Sequence, residues 1–121
     1  MYSSLQQYQI DEGIKSMVDV SIYKDSEFSE AQMYQIRKGL EKGLDVSCYA
    51  NTCYCRLQMY VIRIGLEKGL DIALYANPKY DWEKMGVIQY CLENRIDISK
   101  ADIEKMTTDD IIKLFLRKKD I

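Results

Sequence analysis

Apolar residues recur along this chain at steps of three and four. Met33, Ile36, Leu40 and Leu44 share one helical face, as do Met59, Ile62, Leu66 and Leu70. That spacing fits a helical period and excludes the two-residue alternation of a strand. Ile10, Ile14 and Val18 keep the same phase before them, and Met85, Ile88, Leu92 and Ile96 keep it after them. The pattern returns every 26 residues without a slip, with Asp19, Asp45, Asp71 and Asp97 marking the period. Self-similarity at a fixed period means stacked structural units, each opening with a helix.

The punctuation is periodic too. Ser3, Ser29, Cys55, Asp81 and Thr107 occupy one column, and four of these five residue types accept a hydrogen bond from a free amide at a helix start. Ser3 with Gln6 and Ser29 with Gln32 read as capping boxes. Gly43 and Gly69 fall where a left-handed residue closes the helix; Gly39 and Gly65 sit one turn earlier, and of the two readings of such a pair, close helix contact or a terminator at the later glycine, the terminator is expected. Asp45 and Asp71 then cap a second, shorter helix, which ends at Asn51 and Asn77. Pro78 bars its continuation. Phe28, Tyr54 and Tyr80 stand just before the next cap, placed to pin the chain against the following helix. Tyr23, Tyr49 and Tyr75 form a column in the short helix and are expected in the core.

A helix pair of this size cannot bury its apolar stripe alone, so neighbouring pairs must share a core. The predicted fold class is all-α: a short α-solenoid of about four helix, turn, short-helix units near 3–28, 29–54, 55–80 and 81–106, capped by a helix at 107–121, in one domain. The fourth copy drifts, with Cys91 for Gly65, Arg95 for Gly69 and Ala101 for Tyr75, as terminal repeats do.

The middle copies read QMYQIRKGLEKGLDVSCYAN and QMYVIRIGLEKGLDIALYAN. Roughly residues 5–100 are similar to short helical repeats of the QM..IR.GLE.GLDVS.YA type, found in proteins of phages and mobile elements of Gram-positive bacteria. The resemblance implies a setting and an interaction role, and it carries no catalytic residues. GLEKGLDVS and GLEKGLDIA also resemble the helix ends of ankyrin repeats. That likeness is one of capping chemistry, because the TPLH opening is absent and the period is shorter.

Charge narrows the function classes. Seventeen basic and nineteen acidic residues leave a net charge of -2, which gives no general attraction to nucleic acid or to an anionic membrane. No run approaches the roughly 18 apolar residues of a membrane span, and MYSSLQQYQIDEG lacks the basic and apolar regions of a secretory signal, so a cytoplasmic location is expected. The chain has no histidine, which removes the commonest general base and zinc ligand. GLEKG has neither the length nor the Lys-Ser/Thr ending of a phosphate loop. The expectation is a protein that is not an enzyme, with no cofactor and no metal. Cys48, Cys53 and Cys55 cluster, but Cys48 shares a column with Ile22 and Leu74, whereas Cys53 and Cys55 share theirs with polar residues. Cys91 lies more than one unit away, so a four-thiolate site is not expected.

The candidate partner-binding residues form a ladder. Tyr8, Tyr34 and Tyr60 occupy one column beside the apolar stripe, Arg37 and Arg63 stand one turn later, and Glu41 and Glu67 a turn beyond. Tyrosine and arginine concentrate in binding hot spots. The same ladder also reads as packing between repeats, each tyrosine covering its neighbour and each arginine pairing with a glutamate on its own helix. Asp11 and Glu12 belong to an acidic N-terminal segment, residues 1–30, where six acids face only Lys15 and Lys24. These features predict a non-catalytic module that engages a macromolecular protein partner. A mobile-element inhibitor of a bacterial nucleic-acid defence enzyme, using the acidic units, is the alternative. Direct nucleic-acid binding through stacked aromatics ranks below both on charge grounds.

Overall fold

The computed structural model describes residues 1–119, and among these it is all-helical with no strand. Four helices of 12 residues follow one another at the repeat period: α1 (Ser4–Lys15), α2 (Glu30–Glu41), α3 (Arg56–Glu67) and α4 (Trp82–Glu93). A six-residue helix, α5 (Lys100–Lys105), and a final helix, α6 (Thr108–Lys119), complete the chain. Asp120 and Ile121, the end of the predicted capping helix, lie outside the described residues.

The caps form as the sequence dictates. Ser3 and Ser29 accept from the Gln6 and Gln32 amides, and each glutamine returns a side-chain oxygen to the serine N–H at 2.8 Å. At Cys55 only the return half is well made, with Gln58 Oε1 accepting from the Cys55 N–H at 2.9 Å. The short helices of units one to three are single 3₁₀ turns, Val20–Ile22, Val46–Cys48 and Ile72–Leu74. Each is capped by its aspartate, whose carboxylate accepts the amide two residues on. In unit four the turn is replaced by α5, capped by Ser99.

Each long helix contacts the next: α1 with α2, α2 with α3, α3 with α4, and α4 with α6. Two sets of hydrogen bonds fix their direction. At the helix starts, the Nε2 atoms of Gln6, Gln32 and Gln58 donate to the carbonyls of Phe28, Tyr54 and Tyr80, each at 2.7 Å. At the helix ends, the Ser16 hydroxyl donates to Glu41 at 2.6 Å, and Lys42 and Lys68 donate to Glu67 and Glu93 at 2.7 and 2.8 Å. Starts meet starts and ends meet ends, so α1 to α4 run the same way. The 3₁₀ turns and loops return the chain along the other side.

The core lies between the helices and these returns. Ile10, Met33, Ile36, Met59, Ile62, Met85 and Ile88 are fully buried, and so are Tyr23, Tyr49 and Tyr75. Ile14, on the apolar stripe of α1, is instead 58% exposed, because α1 has a helical neighbour on one side only. Tyr23 and Tyr49 donate through their hydroxyls to the carbonyls of Gln9 and Gln35 at 2.6 Å. Each ring crosses its long helix at a glycine: a methyl group on Gly13, Gly39 or Gly65 would overlap the hydroxyl of Tyr23, Tyr49 or Tyr75. Both members of each glycine pair are therefore used, the later for the turn and the earlier for the tyrosine.

Burial pushes the Tyr23 hydroxyl up to about 12 and raises those of Tyr49 and Tyr75 further. The folded chain holds these protons more tightly than the unfolded chain, whose phenols titrate near 10. Their stabilisation is complete below about pH 10 and is lost as the pH climbs through 12. The melting temperature is expected to fall above about pH 10, with tyrosinate absorbance from these three residues appearing in step with loss of helicity rather than before it.

The left-handed column is Met17, Gly43, Gly69 and Arg95, with φ between 56° and 71°. A side chain in this conformation costs about 1 kcal/mol or more. Met17→Gly and Arg95→Gly are each expected to stabilise the protein by about 1 kcal/mol, seen as a higher urea midpoint with unchanged slope. Both side chains are exposed, so little packing is lost.

Candidate functional site

The helical layer presents its outer face through a file of aromatic rings. Tyr8, Tyr34 and Tyr60 stand at the same position on α1, α2 and α3 and are 55%, 37% and 47% exposed. Leu5 and Leu57 accompany them, 61% and 40% exposed. Helical geometry explains the placement: these residues lie about 100° from Met33 and its equivalents, which point into the core.

Arg37 and Arg63 are placed differently. Only 8% of each is exposed. Arg37 Nε donates to Gln9 Oε1 on α1, and Arg63 Nε to Gln35 Oε1 on α2, both at 2.9 Å. Their Nη1 atoms pair with Glu41, at 2.7 Å, and with Glu67 on the same helix. Above, the guanidinium carbons lie 5.4 and 5.5 Å from the ring centroids of Tyr34 and Tyr60, within cation–π range. The arginines thus tie successive helices together and support the tyrosines from beneath, while the rings face outward.

The carboxylates complete this network. Burial by itself would raise the Glu41 carboxyl, but the Ser16 hydroxyl and the Arg37 and Lys38 charges outweigh it and hold it below its ordinary value. Glu67 is held low chiefly by the Lys42 hydrogen bond, with burial opposing and Arg63 adding to it. Both stay ionised at neutral pH and are occupied by internal cations. Asp11 is exposed and accepts from Gln7 at 3.0 Å, and Glu12, half-buried, pairs with Lys15 at 3.2 Å.

The tyrosine column does not continue. Its fourth position is Gly86 on α4, where an added methyl would meet nothing within 4 Å. Trp82 stands one turn before this gap and Tyr90 one turn after it, 43% and 60% exposed. Together with Tyr60, Val61, Ile64 and Val87 they line a groove of about 480 Å³ between α3 and α4. Tyr90 leans on Phe115 of α6, with ring centroids 6.2 Å apart. The sequence pattern does not single out Trp82, Gly86 or Tyr90, although a break in a conspicuous column is itself the signal.

Cys53 and Cys55 are exposed, Cys48 is half-buried against the core, and Cys91 is buried, all as free thiols. Burial raises the Cys91 thiol above its ordinary value. Among the described residues no three Cys, Asp or Glu side chains form a group able to hold a metal ion, and no helix is long and apolar enough to cross a membrane. No family model matches the chain, and neither a curated protein nor a solved structure matches it.

Proposed function

We propose that this protein is a non-catalytic protein-interaction module: a short α-solenoid whose helical layer presents an aromatic face to a protein partner. The observation that carries this reading is the file of exposed rings, Tyr8, Tyr34, Tyr60, Trp82 and Tyr90, on α1 to α4. Large amphipathic rings supply contact area at low entropic cost and concentrate at interface centres. None of the five belongs to the hydrophobic core cluster.

A photo-reactive phenylalanine analogue at Tyr60, incorporated in the cells that make the protein, tests this directly. The reading expects one dominant protein adduct from Tyr60 and none from the same analogue at Ser47, on the 3₁₀ side. Equal labelling at both positions, or none at either, would overturn it. The solenoid part has its own test. Deleting residues 55–80 should leave a shorter helical protein with a cooperative melt, whereas deleting Asn51 alone should break the register and the cooperativity.

A further inference from the structure

Within this protein aromatic rings are repeatedly paired with cations, two of them on the outer face and one, Tyr80, partly buried before α4. Arg37 and Lys38 lie over Tyr34, Arg63 over Tyr60, and Lys84 over Tyr80. Unit four breaks the arrangement: the arginine column reads Gln89, and the tyrosine column reads Gly86. What remains is a slot with a bare glycine floor, an indole at one end, a phenol at the other, and Tyr60 along its wall. We propose that this slot receives an arginine side chain from the partner protein, supplying in trans the guanidinium that units two and three supply from within. The proposal rests on the interaction reading above.

Charge favours this occupant. One lysine and two glutamates line the groove. Lys68 is bound to Glu93 at 2.8 Å, which leaves Glu83 as a net negative charge; its side chain makes no ion pair or hydrogen bond among the described residues. The start of α4 opposes a cation, with a partial charge of about half an elementary charge. Glu83 in the first turn and Asp81 at the cap set two negative charges against it and the Lys84 ammonium, and Glu83 alone of the two carboxylates is free of a hydrogen bond among the described residues. The flat guanidinium suits the site as well, since it stacks on aromatic faces while its N–H groups remain free to reach a carboxylate. A methyl group placed on Gly86 would meet nothing within 4 Å, and the groove around it holds about 480 Å³, room for a planar group.

Trp82 is the only tryptophan, so its fluorescence and its indole N–H resonance report this slot alone. The full chain is titrated at millimolar concentration with the peptide acetyl-Gly-Ser-Arg-Ser-Gly-amide, and with the same peptide carrying citrulline or leucine in place of arginine. Saturable change at Trp82, with the arginine peptide at least about tenfold tighter than the citrulline peptide, is expected. In Glu83→Gln, an exposed position where the fold is not at risk, most of that preference should vanish. Citrulline or leucine binding as tightly as arginine would overturn the proposal in favour of an apolar knob. No saturable response to any peptide would also overturn it. If the Tyr60 adduct forms while the arginine preference is absent, the arginine slot falls and the interaction reading stands; if neither is seen, both fall.

Discussion

Gly65→Cys is expected to destabilise the protein by about 3 kcal/mol, at the upper end of overpacking effects. The new Cβ would overlap the Tyr75 hydroxyl and lie 2.9 Å from Ile72 Cγ2. Both neighbours are buried, and Tyr75 is completely so, leaving the ring no low-energy place to go. Tyr75→Ala alone is expected to cost about 4 kcal/mol through the cavity it leaves. The two changes are not additive, because the second removes the obstacle to the first and the thiol occupies part of the vacated space. A double-mutant cycle on urea unfolding should give a coupling of about 2–3 kcal/mol. The chain already contains the paired state: unit four carries Cys91 and Ala101 at these two columns, and α5 contributes the fully buried Ile103 in that unit. Additive single effects would show that the glycine and the tyrosine do not meet as described.

Gln35→Val is expected to cost about 2 kcal/mol, the penalty for leaving a buried charged group short of an acceptor. Gln35 Oε1 takes the Arg63 Nε hydrogen bond, and no water reaches a guanidinium that is more than nine-tenths buried as easily as it would a surface one. Adding Arg63→Gln should recover most of the loss, since Val61 and Gln89 form the same combination one unit later. Chemical denaturation of the single and double variants measures this, and the loss should respond weakly to salt because the pair is buried. If Gln35→Val is neutral, the rung between α2 and α3 carries no stability.

These two pairs explain what the sequence makes legible. Helix phase, the serine caps and the left-handed glycines depend on residues within four positions of one another, so a single chain displays them openly. The burial of Tyr23, Tyr49 and Tyr75 follows from their column. The 3₁₀ character of the short helices does not, because an aspartate cap looks the same before either kind of turn. Nor does the inward turn of Arg37, which is decided by Gln9 on the preceding helix, 28 residues away. The joint loss of Gly and Tyr in unit four, at Cys91 and Ala101, and of Gln and Arg between units three and four, at Val61 and Gln89, records both contacts in the sequence. The candidate surface divides the same way. The tyrosine file is periodic and therefore visible, whereas the slot at Gly86 exists because the period fails there.

The hydrogen bonds that join helix starts and helix ends have a consequence for recognition. Gln32 is fastened to Tyr54 at one end and Lys42 to Glu67 at the other, so adjacent helices are joined at both ends in one direction and register. The outward rings are then graduations on a scale, set by the packing distance between helices, about 8–10 Å. Whatever grips two of them at once is gauged by length before it is judged by chemistry, and a surface with a different pitch meets one ring and misses the next.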